Sequence, residues 1–579
     1  MTIIATIKSS FTKRALPYEE SQHVPSKRAA RTTISILAAL SVLEVLAFVG
    51  GSVFSTIAVY CWILLGLVSF GFLVQRYVGC LLHDAKQLSL WGLVPLLASV
   101  IACFAYIKGY GFLNTESLSE LQHSLEQLQR SDLGYTQMFW VSYPSRSLLL
   151  SLLPSTWMGI TPEAYRVGFS FPLMLGAVFF YSGLRLSHER HPLSAAISGL
   201  VAASIFAFPM LVEFTRTFEM ATSSTSYGLW AIAALLLFVS RPSSVSALTC
   251  AWAIGLLGAS FTSGLALVAL LLFALTAWLI RTLIQRDYAL AGMIASVLLY
   301  SSVVTIALYL QQPRMLRSQP ITFAEMWGKF IDGLTIVTSF GKTAFFPFLL
   351  VIPLIMSAVF ALALRAGLIP FVAVAWCFPV VWSAVNMQGK IAPLLPFCLY
   401  RALVIIPVIS YVFALFLFWL TARCGRATIV WRLALPVCAV AIVVTSNETY
   451  RRHRALEPNR PAWGRESVVE EVTKLLPEYN LQPGTRGILV NRIDDPSIET
   501  FLPCAQYLMY GWRRVPMQEQ IPASDAQGPQ PIIIVTTKDN QALSQEVPGL
   551  TKSIRSISVT RHERPPLELA VAIFLPESR

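Results

Sequence analysis

Residues 289–310 read ALAGMIASVLLYSSVVTIALYL, which is twenty-two positions without a charge. A helix of this length crosses the ~30 Å hydrocarbon core of a bilayer, because each helical residue rises about 1.5 Å. The stretch lacks the alternation of apolar and polar residues that is typical of barrel strands, and lipid cannot satisfy a bare backbone. It therefore predicts a transmembrane helix.

Runs of the same kind recur on both sides of this one. The chain is 55% hydrophobic and 13% charged, with a mean hydropathy of +0.62, which is typical of polytopic membrane proteins. We predict a mostly α fold, a polytopic transmembrane bundle of about thirteen spans. The spans lie near residues 33–51, 53–74, 89–107, 167–186, 194–212, 226–240, 245–261, 264–281, 289–310, 345–364, 367–385, 395–421 and 428–446.

Charge in the connecting loops predicts the orientation. With a cytoplasmic N-terminus, seventeen basic and five acidic residues fall on the cytoplasmic side, so that side holds about twelve of the thirteen excess positive charges. The positive-inside rule favours this topology. We expect a multi-pass protein of a bacterial inner membrane, and because topology already explains the basic pI, no nucleic-acid partner is predicted. The basic residues are Lys8, Lys13, Arg14, Lys27, Arg28, Arg31, Arg76, Lys86, Arg185, Arg190, Arg241, Arg281, Arg286, Arg365, Arg423, Arg426 and Arg432.

The chain divides into four predicted parts. Residues 1–32 form a basic cytoplasmic tail, 33–88 two additional transmembrane helices, and 89–446 the transmembrane core. Residues 447–579 form a small extracytoplasmic α/β domain. Its predicted helices are 466–476 and 497–510, and its predicted strands are 487–493, 531–535 and 567–575.

A polar outer loop, residues 108–165, is the predicted place of the chemistry. It begins with Glu116 and Glu120 and carries Tyr143-Pro144-Ser145-Arg146 near its end. A carboxylate can take a proton while a cation stabilises phosphate charge, so the loop suits a lipid-linked, phosphate-bearing substrate. Two structural interpretations stay open, since the acids also fit a helix capping box and Arg146 could reach lipid headgroups from the interface.

The order of these features resembles the GT-C superfamily of membrane glycosyltransferases, in members related to aminoarabinose transferase and protein O-mannosyltransferase. The acidic pair, the motif at 143–146, Gly159 and Ala164-Tyr165-Arg166-Val167 follow the order of that family's first outer loop. The acids are separated by three residues instead of adjacent, and Ser145 stands where a second proline is usual. The resemblance covers most of residues 89–579.

The resemblance implies inverting transfer of a sugar from a polyprenyl-phosphate donor to an acceptor hydroxyl or amine. Glu116 and Glu120 would be the catalytic carboxylates. The partners implied are the lipid-linked donor and membrane lipid, whereas the sugar, the acceptor (lipid, glycan or protein) and a divalent metal ion stay open. The residues that would bind substrate are Tyr143, Arg146, Glu213, Arg216, Glu219, Lys390 and Arg401.

Other interpretations fit parts of the same pattern. Glu213 and Glu219 flank Arg216 at helical spacing, which also fits a local surface ion pair. A ligase or polymerase of lipid-linked glycans, a transporter and a non-enzymatic assembly protein of the cell envelope are alternative functions. A transporter would need ionisable residues in several spans, whereas Glu44 is the main one here. No cysteine and histidine spacing predicts a metal site.

Overall fold

The structure is a computed structural model of the 579-residue chain. The residues it describes are 26–50, 52–107, 150, 153–158, 162–207, 211, 221–260, 262–311, 372–373, 376–377, 403–423, 437, 465–482, 484–493, 512–515, 530–537, 550–559 and 566–576.

Ten apolar helices form the described part of the membrane bundle, which confirms the mostly α fold class. Seven are long and apolar enough to cross a membrane, and α3, α5 and α7 are shorter. A single helical turn, Ser155–Met158, precedes α4, and the 3-10 turn Ile205–Ala207 follows α5. The ten are α1 (Lys27–Gly50), α2 (Ser52–Lys86), α3 (Leu93–Ile107), α4 (Pro162–Ser187), α5 (Ser194–Ser204), α6 (Ala221–Ser240), α7 (Ser244–Gly258), α8 (Thr262–Ile284), α9 (Tyr288–Gln311) and α10 (Ile405–Arg423).

These helices coincide with ten of the thirteen predicted spans, and the spans near 345–364, 367–385 and 428–446 lie almost wholly outside the described residues. Two boundaries differ from the prediction. Helix α2 continues to Lys86, although its apolar stretch ends near residue 74, since polar residues can extend a helix into water. Helix α5 ends at Ser204 instead of residue 212, and the chain continues as the 3-10 turn Ile205–Ala207.

Side-chain contacts give the direction of each helix. Helices α4, α6, α8 and α10 run parallel to one another, although each is separated from the next in sequence. The contacts that show this are Gly176 with Ser226 and Gly183 with Ala233 (α4 and α6), Ser224 with Ser263 and Phe238 with Trp278 (α6 and α8), and Gly228 with Pro407 and His191 with Thr421 (α10 against α6 and the α4–α5 turn).

The bundle therefore has two distinct ends. The "outer end" is the end at which α4, α6, α8 and α10 begin and α3, α5, α7 and α9 finish. The opposite "basic end" holds eleven described basic residues and three acidic ones from the predicted cytoplasmic loops, so the charge asymmetry seen in the sequence is collected at one end in three dimensions. The basic residues are Lys27, Arg28, Arg31, Arg76, Lys86, Arg185, Arg190, Arg241, Arg281, Arg286 and Arg423, and the acidic ones are Asp84, Glu189 and Asp287.

The two N-terminal helices pack into the same bundle. Helix α1 lies along α9 and α7, and α2 lies along α4 and α7. A buried cluster of aromatic rings joins α2 to three core helices, with ring centroids 5.8 Å apart for Trp62 and Trp252, 6.0 Å for Trp230 and Trp252, and 5.0 Å for Phe179 and Trp230. Such ring pairs contribute about 0.5–1.5 kcal/mol each beyond the burial of their area.

The C-terminal region contains helix α11 (Arg465–Leu475) and a five-stranded mixed sheet with the order β2-β1-β3-β5-β4. Strand β1 is parallel to β2 and β3, whereas β5 is antiparallel to β3 and β4. Helix α11 and strands β1, β3 and β5 coincide with predicted elements, and β2 and β4 were not predicted. The strands are β1 (Gly487–Arg492), β2 (Trp512–Val515), β3 (Ile532–Thr537), β4 (Leu550–Val559) and β5 (Leu567–Pro576).

Candidate functional site

All nine predicted site residues lie outside the described residues, whereas the helices that flank them are described. The nine are Glu116, Glu120, Tyr143, Arg146, Glu213, Arg216, Glu219, Lys390 and Arg401. The predicted loop 108–165 follows the end of α3 at Ile107 and reaches α4 at Pro162. These points lie at the same end of the bundle, because α3 is antiparallel to α4.

The other predicted site segments attach at the same place. The stretch with Arg216 leads into α6 at Ala221, and the stretch with Lys390 and Arg401 leads into α10 at Ile405. Both helices begin at the outer end. The fold thus collects the attachment points of every predicted site segment at the end opposite the basic end.

The helix directions alone give the outer end no net charge. It holds the N-termini of α4, α6, α8 and α10 and the C-termini of α3, α5, α7 and α9, so the partial charges of neighbouring antiparallel helices largely offset one another. Charged side chains therefore decide whether this end suits an anionic headgroup.

Arg166 is a buried cation at this end. It lies in the second turn of α4, only 5% exposed, and Ala164 beside it is 0% exposed. A guanidinium group offers a planar fork that matches phosphate, and a cation within a membrane helix is commonly functional because its burial costs energy. Arg166 was not among the predicted site residues. Its charge in an otherwise apolar helix was the signal that could have identified it.

A chain of serine hydroxyls joins α6, α7 and α8 at the outer end. The Ser263 hydroxyl donates to Ser224 Oγ at 3.1 Å, and Ser224 Oγ lies 3.2 Å from Ser260 Oγ. Ser260 in turn donates to the Leu257 carbonyl at 2.6 Å. A Cβ at Gly264 would lie 2.5 Å from Ser260 Oγ, so only glycine allows this approach.

Helix α4 is fixed to α6 just below Arg166. Pro172 interrupts the backbone hydrogen bonds of α4 because it has no N–H. The Trp230 indole N–H donates to the Pro172 carbonyl at 2.8 Å. Gly176 allows close approach of the two helices, since a Cβ there would lie 3.0 Å from the Ser226 carbonyl. The part of α4 that carries Arg166 therefore has a defined position relative to α6.

The described ranges contain no group of three or more histidine, cysteine, aspartate or glutamate side chains that could hold a metal ion. The divalent metal ion that the sequence leaves open is therefore assigned no ligands among those residues.

The basic end contains a buried ion pair between α2 and α4. The Arg185 guanidinium donates to Asp84 Oδ1 through Nε at 3.3 Å and through a terminal nitrogen at 3.2 Å. The Tyr181 hydroxyl donates to the other oxygen of the same carboxylate. The side chains of Arg185 and Asp84 are 8% and 1% exposed. This pair fixes the position of α2 and lies far along the helices from the outer end.

Two histidines in the turn between α4 and α5 pack against α10. The His188 ring stacks on Phe418 with centroids 4.0 Å apart. His191 Nδ1 accepts from the Leu193 N–H at 3.2 Å, so Nε2 carries the proton and donates to Thr421 Oγ1 at 3.2 Å. Burial lowers the pKa of His188 to about 4, and burial also lowers the pKa of His191. Both rings are therefore neutral near pH 7.

Comparison with known proteins gives no match to a family model and no match among curated proteins. Two solved structures are similar in fold. Both are crystal structures of ArnT from Cupriavidus metallidurans, one bound to undecaprenyl phosphate and one in the apo state. The TM-scores are 0.49 and 0.48, and the sequence identities are 15% and 14%. Each alignment covers 83% of this chain, and it covers 98% and 97% of the two ArnT chains. At this level of identity the similarity concerns the fold.

Proposed function

We propose that the chain is a membrane glycosyltransferase that moves a sugar from a polyprenyl-phosphate donor to an acceptor on the outer face of the membrane. The observation that carries the proposal is the shared position of the attachment points. Ile107, Pro162, Ala221 and Ile405 flank the predicted site segments, and all of them lie at the outer end. Segments far apart in sequence can therefore contribute to one site.

The electrostatics of the outer end support an anionic substrate. Arg166 supplies a buried positive charge there. Arg146, Arg216, Lys390 and Arg401 belong to segments attached to the same end, and they are the proposed ligands of the donor phosphate. Their positive charge would stabilise the phosphate as negative charge accumulates on it during transfer.

The proposed reaction is a single displacement. The Glu116 carboxylate takes the proton of an acceptor hydroxyl while the acceptor oxygen forms a bond to the anomeric carbon of the sugar. The bond between that carbon and the phosphate oxygen breaks, and its electron pair leaves with the polyprenyl phosphate. The configuration at the anomeric carbon inverts. Glu120 is the alternative base, one helical turn further along the chain.

The apolar bundle would supply the orientation of the donor. The prenyl tail lies among membrane helices, which confines the headgroup to the outer end and removes much of the entropy cost of the encounter. The basic end takes no part in this reaction. Its ion pair and histidines connect α2, α4 and α10 at the opposite end of the bundle.

Substitution of Glu116 by glutamine tests the catalytic base. We expect Glu116→Gln to abolish transfer of the sugar from a radiolabelled undecaprenyl-phosphate sugar in membranes, without a lower protein abundance. The matched control is Glu126→Gln in the same loop, which should retain activity because Glu126 stands four residues before Arg130, a spacing that suits a surface ion pair. Full activity in Glu116→Gln would remove that residue from the mechanism.

Substitution of Arg146 tests the phosphate site. We expect Arg146→Ala to weaken binding of undecaprenyl phosphate more than Arg146→Lys does, because lysine keeps the charge but loses the planar fork. The measurement is retention of undecaprenyl phosphate by the purified protein in detergent. Unimpaired binding in both variants would leave Arg146 as an interfacial lipid contact. Uptake of a labelled solute into proteoliposomes without any lipid-linked donor would favour a transporter instead.

A further inference from the structure

We propose that Arg76 and Arg241, at the basic end, bind the phosphate headgroup of an anionic phospholipid. This site is separate from the proposed glycosyltransferase site, and the inference does not depend on that reaction. It follows from the depth of Arg76 in the membrane, from the local balance of charge and from the apolar surface beside it.

The length of α2 gives the depth of Arg76. The helix has 35 residues, and the twenty-four from Ser52 to Gln75 carry no charge. At about 1.5 Å per residue those twenty-four extend roughly 36 Å, slightly more than the ~30 Å hydrocarbon core. Arg76, the first charged residue of α2, therefore lies at the boundary between hydrocarbon and headgroups.

Lipid chains have access to this position. Leu64, Leu67 and Val68 on α2 are 63%, 65% and 46% exposed, and a Cβ added at Gly71 would meet nothing within 4 Å. An apolar surface of this kind contacts acyl chains in a membrane protein. A lipid whose chains lie along it would place its phosphate near the level of Arg76.

The arginine side chains are held in place by other parts of the protein. The Arg76 guanidinium carbon lies 4.8 Å from the centre of the Phe72 ring, so the side chain is half-buried against its own helix. Arg241, at the end of α6, is fixed by a 2.6 Å ion pair with Glu189. Phe70 of α2 stacks on Trp230 of α6 with ring centroids 6.2 Å apart, and both helices finish at the basic end, so Arg76 and Arg241 lie on neighbouring helices there.

The charges around the site leave room for one anion. Glu189 balances Arg241, and Asp84 balances Arg185, so the unbalanced charge in this group is that of Arg76. Among the described residues, no carboxylate lies within 4.0 Å of the Arg76 guanidinium. The phosphodiester of an anionic phospholipid carries one negative charge and several acceptor oxygens, which two arginines can share. Basic groups between helices at a membrane surface commonly bind lipid headgroups.

Binding of phosphatidylglycerol to the purified full-length chain tests the site. We expect phosphatidylglycerol to bind and to raise the temperature of unfolding in neutral detergent, and phosphatidylcholine to do neither. Arg76→Gln and Arg241→Gln should each weaken phosphatidylglycerol binding about fivefold, as expected for loss of one basic residue near the phosphate. The matched control is Arg281→Gln, which removes an exposed charge from the last turn of α8 at the same end and should have little effect.

Two further variants distinguish a phosphate site from a general effect of positive charge or of misfolding. Glu189→Gln should strengthen binding, because it frees Arg241 for the lipid phosphate. Arg76→Lys should fold and retain most of the phosphatidylglycerol binding. If Arg76→Gln does not fold, Arg76→Lys and Glu189→Gln become the deciding variants. The inference is overturned if Arg76→Gln weakens binding no more than Arg281→Gln does, if Glu189→Gln has no effect, or if inorganic phosphate stabilises the protein as well as the lipid does.

Discussion

The buried contact between Asp84 and Arg185 allows a quantitative prediction. At the observed 3.2 Å, and with an effective dielectric constant of about 20, two opposite charges attract by about 5 kcal/mol. Much of this attraction is offset by the cost of removing both groups from water. Loss of one partner is more severe than loss of both, because it leaves a buried charge without compensation, at a cost of about 3–5 kcal/mol.

We therefore expect Asp84→Asn to lower the free energy of unfolding by about 3–5 kcal/mol. The double variant Asp84→Asn/Arg185→Met should regain at least half of that loss, since the stranded charge is gone. The assay is unfolding by sodium dodecyl sulfate in mixed micelles, followed by tryptophan fluorescence. The control is Glu189→Gln, which breaks an ion pair whose side chains are 41% and 48% exposed and should cost less than about 1 kcal/mol.

The relation between the single and double variants decides the result. A double variant less stable than Asp84→Asn would show that Arg185 stabilises the fold without its carboxylate partner. Equal, small losses in Asp84→Asn and Glu189→Gln would show that burial of the Asp84 pair has no energetic importance. Either result would refute the assignment of α2 as a helix anchored to α4 by charge.

Three other predictions concern packing and pH. Gly264→Ala should destabilise the protein by about 1–3 kcal/mol because its methyl group would overlap the Ser260 hydroxyl. Gly79→Ala should be neutral or slightly stabilising, since nothing lies within 4 Å of a Cβ there. Equal melting temperatures for the two variants would contradict this prediction. The pKa of His188 is about 4 in the folded protein, below its ordinary value of 6.5. The neutral ring therefore contributes its full stabilisation above pH 6.5. As the pH falls from 6.5 to 4, the free energy of unfolding should drop by up to about 3 kcal/mol. A His188→Phe variant should keep the ring contact and show a smaller loss between those pH values, and an unchanged pH profile would exclude His188 as the cause. Trp230→Phe should cost about 1 kcal/mol by removing the donor to a buried carbonyl in α4, measured by the same unfolding assay, and no loss would show that water replaces it.

Membrane helices were well predicted because a single physical requirement determines them. Each span must be apolar over about twenty residues, and α6, α8 and α9 satisfy this plainly. The end of α2 was predicted twelve residues too early, because hydropathy reports where lipid ends and not where the helix ends. The end of α5 at Ser204 was missed because the residues up to 212 stay apolar, and hydropathy does not distinguish an α-helix from the 3-10 turn that follows it.

The C-terminal sheet shows a different limit of sequence analysis. Strands β1, β3 and β5 are buried and apolar, so their pattern identified them. Strand β4 is an edge strand with Lys552 and Arg555 on its exposed positions, which is typical of protected sheet edges but gives a weak strand signal. Strand β2 is only four residues long.

The candidate site was predicted as residues in loops, and those loop residues lie outside the described part of the chain. The sequence could place the loops on one side of the membrane through charge alone. The predicted topology gives α4, α6, α8 and α10 one direction, but it could not show that α6 packs against the other three, because that depends on contacts between distant segments. The sequence shows Arg166 as a charge near the start of an apolar run, and the fold adds that its side chain is buried at the outer end.

The position of α6 has a consequence for the way the protein is made. Helix α6 packs against α4, which is synthesised earlier, and against α8 and α10, which are synthesised later. When the ribosome has completed residue 240, the faces of α6 destined for α8 and α10 still lack their partners. Large proteins pass through such incomplete intermediates as the chain grows. Among the described helices, α10 is the last to pack against α6, and truncation before Ile405 should yield a chain that quality-control proteases degrade.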